Sequence, residues 1–262
     1  YDQKIGQVNF SAMGNFTFAR NVIEDQDQPD YIEKYMNRTG QARWQTFGYV
    51  SDGLFKDEAD IATSPDQSAL GEVRPGDIKY KDLNNDGVID SKDVKAIGYT
   101  DVPEIVYGFG VSAQWKGFDV SVFFQGNAHV SFSINSSMVR GFTEPKMAAN
   151  NVFSDIYGNY WTESNTDAKY PRLTTTEATN NNQSSDFWLV NGRYIRLKNA
   201  EFGYTFPKRL IQKMRLSQLR VFVSGTNLLT FAPFKLWDPD LQTGASNYPN
   251  TRVANIGLNI GF

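Results

Sequence analysis

Residues 251–262, the last twelve of the chain, read TRVANIGLNIGF. Apolar side chains alternate here with asparagine and glycine, so that Ile256, Leu258 and Ile260 share one parity and Asn255 and Asn259 the other. Because successive side chains of a strand point to opposite faces, this stretch predicts a strand with one apolar and one polar face. A soluble sheet would bury the apolar face on a protein core, whereas a transmembrane barrel would turn it toward lipid.

The same two-residue period returns in five more stretches of the chain, which are residues 7–22, 107–115, 118–125, 187–206 and 219–224. The first of these is longer than the 3–10 residues usual for strands of globular proteins. That length suits a tilted membrane strand that extends beyond the bilayer. The pattern therefore predicts an all-β protein built from about six long strands.

The connections between these strands alternate between long and short. Lys116-Gly117 predicts a two-residue hairpin turn, and residues 207–214 form the second short connection. The long links are residues 23–102, 127–186 and 231–250. In an antiparallel up-and-down sheet, all three long links would lie at one end. Outer-membrane barrels have this arrangement, with short periplasmic turns, long extracellular loops and an aromatic girdle. Aromatic residues expected near the short-turn end are Trp115, Phe118, Tyr204, Phe206 and Phe262.

The alternation also predicts the environment of individual side chains in a barrel. We expect lipid around an apolar set, which comprises Val8, Phe16, Tyr107, Val111, Val120, Val221, Ile256 and Ile260. We expect a wet lumen around a polar set, which comprises Asn9, Asn15, Gln114, Asn255 and Asn259. Packing of the apolar set into a protein core would contradict the barrel.

Six strands are too few to close a transmembrane barrel, since the smallest have about eight. The open edges of a partial barrel would leave backbone groups unpaired in lipid. The missing strands are therefore expected from sequence before Tyr1 or from another chain. The start at Tyr1, without a methionine or a signal-like segment, leads to the same expectation that residues 1–262 are a portion of a larger protein.

The composition of the 262 residues excludes several functions. The net charge of −3 and the pI of about 5.3 give no basic patch for nucleic acid. Without cysteine there is no disulfide, thiol catalysis or cysteine-bound zinc, and His129 is the only histidine. No apolar run approaches 18 residues, so no transmembrane helix is predicted. The mean hydropathy of −0.47 is hydrophilic, but alternating barrel strands escape such averages.

One segment, residues 82–93, carries a metal-binding pattern and reads DLNNDGVIDSKD. Gly87 stands where a calcium loop turns sharply, and the carbonyl of Val88 stands at the next ligand position. The side-chain oxygens at loop positions 1, 3, 5, 9 and 12 belong to Asp82, Asn84, Asp86, Asp90 and Asp93. This spacing predicts one structural Ca²⁺ that staples the first long link, with Asp90 acting through water. The alternative is an Asx-rich surface turn. Asp93 replaces the usual glutamate, and the preceding segment reads extended rather than helical.

Other motif matches favour structural roles over catalysis. Residues 108–113, GFGVSA, match a dinucleotide-binding fingerprint but lie in an alternating strand that enters a hairpin rather than a helix. There is no nucleophile elbow or phosphate-binding GK[ST] loop, and His129 falls in a polar stretch where solvation is the favoured interpretation. Tyr160, Trp161 and Trp188 could stack on sugars, although packing is favoured. The sequence therefore predicts no enzyme.

Longer motifs cover most of the chain after residue 47. They are RPGDIKYKDLNNDGVI (74–89), PEIVYGFG (103–110), NYW (159–161), YPRL (170–173), SDFWLVNGRYIRLKNAEFGYTFP (185–207), GTNL (225–228), WDPD (237–240) and NIGLNIGF (255–262). In these stretches the chain resembles the C-terminal part of the SusC/RagA family of TonB-linked outer-membrane proteins of Bacteroidota. Each motif alone is weak, and together they are specific.

The resemblance implies an all-β, antiparallel transmembrane β-barrel of about 22 strands, of which residues 1–262 supply the C-terminal strands. It implies a plug and a TonB contact in an N-terminal region outside this chain, a SusD-like lipoprotein partner, and import of oligosaccharides or peptides. The protein would lie in the lipid of a Gram-negative outer membrane, with extracellular loops and a periplasmic C-terminus. The residues alone leave open a soluble, secreted, calcium-stapled β-module that binds glycans. No substrate-binding residue is assigned.

Overall fold

β-Strands dominate the computed structural model, which describes residues 1–140, 142, 152–244 and 247–262. The strands are β1 (Asp2–Ile5), β2 (Val8–Phe18), β3 (Phe47–Gly48), β4 (Ser51–Leu54), β5 (Ile78–Tyr80), β6 (Lys95–Ala96), β7 (Ile105–Trp115), β8 (Phe118–Ala128), β9 (Ser131–Ser133), β10 (Leu189–Asn191), β11 (Tyr194–Thr205), β12 (Gln218–Phe231) and β13 (Val253–Gly261). The short helices are α1 (Glu58–Thr63), α2 (Ser137–Arg140) and α3 (Lys208–Ile211). Short 3₁₀ turns lie at Lys34–Met36, Ser68–Leu70, Ser91–Asp93, Thr179–Asn182, Asp186–Trp188, Gln212–Met214 and Pro239–Leu241. Among the described helices, none has the length and apolar character needed to span a membrane.

The chain divides into two compact units. The sheet unit consists of Tyr1–Ala19, Pro103–His129 and Gly192–Phe262, and the link unit consists of Arg20–Val102 and Val130–Asn191. The link unit thus combines most of the two longest predicted links. Residues 141 and 143–151 of the second link, and 245–246 of the third, lie outside the described residues.

The sheet unit contains one antiparallel sheet with the strand order β1-β2-β7-β8-β11-β12-β13. The prediction of about six strands was one short, because β1 was missed. Its sequence, DQKI, has no apolar period, and it becomes a strand by pairing with β2 across the turn at Gly6. The six predicted strands are all present, although their ends differ from the prediction.

The largest difference from the prediction concerns residues 187–206. Only Tyr194–Thr205 belongs to the main sheet, whereas Leu189–Asn191 pairs with Ser131–Ser133 in the link unit. Trp188, just before β10, is 1% exposed and donates a hydrogen bond from Nε1 to the Asn181 carbonyl at 2.7 Å. These contacts hold the first part of the stretch in the link unit.

The cross-strand register places the apolar side chains of the sheet on one face. Phe202 lies between Val120 and Val223, and Val223 lies opposite Ile256. The eight residues predicted to face lipid all lie on this face, and none of them is buried. Ile256 is 84% exposed and Phe202 is 50% exposed. The five residues of the predicted lumen set lie on the opposite face. The predicted division into two faces is therefore confirmed, and the apolar set forms no protein core.

Two phenylalanines interrupt the polar face, and glycines on neighbouring strands explain both. A Cβ on Gly108 or Gly110 would lie 2.9 Å from the ring of Phe123, so this ring occupies the space that the two glycines leave. Phe222 fills the corresponding space at Gly257. The rings thus lie flat across the sheet in place of missing side chains.

The short connections of the sheet lie at one end and the long links leave from the other. At the short-turn end, Lys116 and Gly117 have φ values of 48° and 91°, the positive angles of a type I′ hairpin. The second short connection consists of α3 and a 3₁₀ turn, as predicted for residues 207–214. The predicted alternation of long and short connections is therefore confirmed.

The link unit is organised around a buried network of polar side chains. The Asn181 side chain accepts a hydrogen bond from Ile78 N at 2.8 Å and donates one to Asp77 Oδ1 at 2.8 Å. Asn180 donates to the Ile78 carbonyl at 2.8 Å, and Gln67 accepts from Tyr80 N at 2.7 Å. Since burial of an unpaired polar group is costly, these partners fix β5 against the distant residues around Asn180.

Replacement of Asn181 by alanine should open the link unit locally. The change leaves the Ile78 amide without a partner and removes one of the donors to Asp77 Oδ1, which keeps only Arg172 Nε at 2.8 Å; the cost is about 3 kcal/mol. Hydrogen exchange of peptides that contain β5 in the full-length protein should therefore accelerate by about a hundredfold. Asn159→Ala, at an exposed position of the same unit, is the matched control. Unchanged exchange in Asn181→Ala would show that the network does not hold β5.

Candidate functional site

The predicted calcium-type loop, residues 82–93, follows β5 in the link unit, and backbone hydrogen bonds join its middle to Asp66. Asp66 N donates to the Gly87 carbonyl at 3.0 Å, and Ile89 N donates to the Asp66 carbonyl at 2.8 Å. Ile89 is fully buried, as expected for an inward-pointing residue of such a loop. The sharp turn uses positive φ at Asn85 (60°) and Gly87 (83°). The extended segment predicted before the loop is β5.

Backbone amides of the loop already engage most of the predicted ligand oxygens. Asp82 accepts hydrogen bonds from Asn85 N and Gly87 N, both at 2.7 Å. Asp86 Oδ1 accepts from Val88 N at 3.1 Å, and Asp86 N donates to the side-chain oxygen of Asn84 at 3.1 Å. These are Asx-type turns, the alternative that the sequence left open. The loop therefore keeps its shape through its own hydrogen bonds.

A lysine ammonium lies between two of the predicted ligands. Lys92 Nζ is 3.2 Å from Asp86 Oδ2 and 3.4 Å from Asp90 Oδ2. The hydrogen bond to Asp86 is the main reason why the pKa of Lys92 lies above its ordinary value. The pKa of Asp86 lies below its ordinary value, first because of the Asn84 amide that donates to it. A positive charge is thus favourable at the point where Asp86 and Asp90 approach each other.

Asp93 has a role that differs from that of the other predicted ligands. It is fully buried, and its two carboxylate oxygens accept hydrogen bonds from Leu83 N at 2.7 Å and Asp90 N at 2.9 Å. Asp90 in turn accepts from Lys92 N at 2.7 Å and completes a capping box. Asp93 therefore joins the two ends of the loop. The three-residue spacing between Asp90 and Asp93 is that of a capping box, a role that the prediction of a metal ligand did not consider.

The residues fit a hard cation in chemical type but do not converge on one point in this structure. Carboxylates from Asp82, Asp86 and Asp90 and the Val88 carbonyl are the oxygen ligands that Ca²⁺ prefers. Within the described residues, however, no group of three or more acidic, histidine or cysteine side chains has a metal-binding arrangement. The calcium site stays a prediction.

The aromatic residues considered for sugar stacking contribute to packing. Trp188 is buried, and the Trp161 ring lies so close to Gly76 that a Cβ there would be 2.5 Å from it. His129 is not simply solvated, because its Nδ1 lies 3.1 Å from Glu104 Oε2. The favoured interpretation of the two tryptophans is therefore correct, and that of His129 was incomplete.

Sequence comparison finds curated relatives that match nearly the whole chain. The chain is 30% identical over 290 residues to TonB-dependent receptor P3 of Formosa agariphila, and the match covers 99% of this chain and 28% of the relative. TonB-dependent receptor P26 of the same organism is 28% identical over 232 residues, with 80% and 22% coverage. The chain thus spans about a quarter of the length of these curated relatives. No protein-family model matches.

Structural comparison gives similar coverage. The RagAB peptide importer in its open-open state matches 99% of this chain and 27% of its own, with a TM-score of 0.68 and 19% identity. A second structure of the RagAB peptide transporter matches with a TM-score of 0.69, 19% identity, and coverage of 99% and 28%. At this level of identity the similarity concerns the fold.

The calcium prediction can be tested by opposite effects of two substitutions. Asp86→Asn should weaken Ca²⁺ binding by about tenfold or more, because it removes a charged ligand. Lys92→Gln should strengthen binding by about fivefold, because a like charge about 4 Å away costs about 1 kcal/mol even in water. Isothermal titration of the full-length protein with Ca²⁺ measures both effects. Asp52→Asn, outside the loop, is the matched control. Absence of Ca²⁺ uptake by the unmodified protein would leave residues 82–93 as a self-supporting turn.

Proposed function

Because the chain belongs to the TonB-dependent receptor family, we propose that it forms part of an outer-membrane barrel that imports oligosaccharides or peptides together with a SusD-like surface lipoprotein. In this proposal the long links are extracellular and the C-terminus is periplasmic. TonB and the plug act through a region outside residues 1–262. The chain itself supplies barrel wall, extracellular structure and a calcium-stapled loop.

The exposed apolar face of the sheet is the observation that carries the membrane part of the proposal. It extends over consecutive strands, with Val120, Phe202, Val223 and Ile256 in neighbouring register positions and all exposed. Monomeric soluble proteins rarely expose contiguous apolar patches larger than a few hundred Å². A lipid environment satisfies such a face, whereas a secreted soluble module would have to cover it.

Aromatic side chains at the short-turn end support the same orientation of the sheet in a bilayer. The rings of Phe118 and Tyr204 are 4.6 Å apart, and Tyr204 and Phe206 are 5.0 Å apart. Trp115 lies opposite Phe118 and is 48% exposed. Barrels carry such girdles where the wall meets the membrane interface.

The opposite face of the sheet has the charges expected of a wet lumen. Arg220 donates to both oxygens of Asp119, with Nε at 3.1 Å, and to Glu201 at 2.5 Å. Charged groups within the membrane region are costly unless they face water or protein partners. This cluster therefore fits the inner wall of a transporter.

The support for the substrate and the lipoprotein partner is separate from the support for the barrel. The solved structures that match are those of a peptide importer, but at 19% identity the similarity supports the fold and does not indicate the substrate. Both oligosaccharides and peptides therefore remain in the proposal. The lipoprotein follows from the motif resemblance. A Ca²⁺ bound at residues 82–93 would stiffen the extracellular side and lower the ordering cost of partner binding.

A pair of lysine substitutions at adjacent positions tests which face of the sheet meets lipid. Val223→Lys should destabilise the barrel by about 2–4 kcal/mol, the cost of a lysine on the lipid face near the bilayer centre. Ser224→Lys is the matched control on the opposite face, where it lies in register with Glu201 and should cost little. Urea unfolding of the full-length receptor in lipid vesicles measures the difference.

A soluble β-module would give the opposite result. Val223 would then be an ordinary exposed position, where a lysine changes stability by less than about 0.5 kcal/mol. The protein would also stay in solution without detergent. Equal effects of the two lysines, together with detergent-free solubility, would favour the secreted glycan-binding alternative.

Affinity purification of the tagged full-length receptor from outer membranes tests the lipoprotein partner. Mild detergent should recover one lipoprotein in near-equal amount, since the proposed SusD-like lipoprotein docks on extracellular links that the extraction leaves folded. Quantitative mass spectrometry of the eluate gives the ratio. Recovery of the receptor alone, with the links shown intact by limited proteolysis, would indicate a receptor that works without a lipoprotein partner.

A further inference from the structure

A cavity opens at the end of the sheet from which the long links leave. Its volume is about 360 Å³, and its lining includes Tyr107, Ile195, Phe231 and Pro233. Tyr107, Ile195 and Phe231 belong to the apolar face, in one row across the sheet with Gly126 between Tyr107 and Ile195. The cavity is therefore a recess at the edge of the surface that we assign to lipid.

Gly126 leaves room for the Tyr107 ring, which forms one wall of the cavity. A Cβ at Gly126 would lie 2.5 Å from the Tyr107 hydroxyl, so a side chain is excluded there while Tyr107 keeps its position. The hydroxyl donates to the Tyr194 carbonyl at 3.3 Å, which holds the ring across the gap. Tyr107 and Phe231 thus present aromatic surface beside a shallow, preformed space.

Two cations border this space. Arg193 is two residues before Ile195, shares its parity and is exposed. Lys235 is also exposed and lines the cavity beyond Phe231. Among the described residues, the lining contains no aspartate or glutamate. Along the strands, the order is therefore an apolar band, then aromatic side chains, then positive charge.

We propose that this cavity binds the phosphate-bearing headgroup of an outer-leaflet glycolipid of the lipid A type. The acyl chains would lie on the apolar face, the sugar against Tyr107 and Phe231, and the phosphate between Arg193 and Lys235. Guanidinium and ammonium groups are the usual partners of phosphate. The inference rests on the proposed function, because only a barrel with extracellular long links brings this end to the outer leaflet.

Lipid A binding to the full-length receptor tests the site. The receptor is purified from outer membranes, stripped of lipid by detergent exchange and titrated with fluorescent lipid A. Arg193→Gln and Lys235→Gln should each weaken binding about fivefold, and the double variant about 25-fold, since each cation near an anionic surface contributes about that factor. The conservative double variant, Arg193→Lys with Lys235→Arg, should bind within about twofold of the unmodified receptor.

A second double variant provides the matched control. Lys208→Gln with Arg209→Gln makes the same change of charge at exposed positions of α3, at the short-turn end, and should leave binding unchanged. Equal weakening by both double variants, or no weakening by the first, would overturn the site. Equal competition by dephosphorylated lipid A or by phosphatidylglycerol would overturn the assignment to a glycolipid phosphate.

Membrane fractionation of the same preparations separates failure of this site from failure of the proposed function. In one outcome, the receptor fractionates with the outer membrane and shows the heat-dependent gel mobility of a folded barrel, but the Arg193/Lys235 double variant binds lipid A as well as the unmodified receptor. This outcome refutes only the glycolipid site. A receptor that is absent from the outer membrane refutes both proposals.

Discussion

Backbone hydrogen bonding between neighbouring strands is the constraint on which the rest of the structure depends. Strands β2, β7, β8, β11 and β12 are paired on both sides, so their amides and carbonyls need no water. That property lets a sheet lie in lipid, where each unpaired group costs several kcal/mol. Because no side chain has to satisfy a backbone group of these strands, the side chains of one face can be apolar.

The separation of the two faces depends on a β-bulge that the sequence pattern does not predict. In β11, Ala200 and Phe202 share a face with Leu197 and Ile195, although their parity differs. A bulge at Lys198 supplies the extra residue and restores the pattern. Without it, half of β11 would turn its apolar side chains toward the polar face, because a one-residue slip reverses every side chain. The alternation of the sequence was therefore clean only in the second half of this strand.

Local signals predicted the sheet, and non-local contacts account for what was missed. Period-two alternation and the Lys116-Gly117 turn require only neighbouring residues, so six strands, their faces and the hairpin could be inferred. Strand β1 and the link unit depend on partners that are distant in sequence. Asn181 binds Asp77 and Ile78 across more than 100 residues, and no local pattern indicates that pairing. Polar side chains that the sequence places in a long link thus lie in the interior of a folded unit.

The calcium-type loop shows how one spacing can serve two physical roles. Asp93 stabilises the loop through two backbone amides, and Asp82 engages two more, so four amides of the turn are paired with its own carboxylates. The carboxylates of Asp86 and Asp90 still repel each other, and Lys92 offsets that repulsion. A bound Ca²⁺ would have to displace this ammonium before it gained the same oxygens. Its contribution would then be added rigidity rather than creation of the loop, and its net affinity would be reduced by the displaced ion pairs.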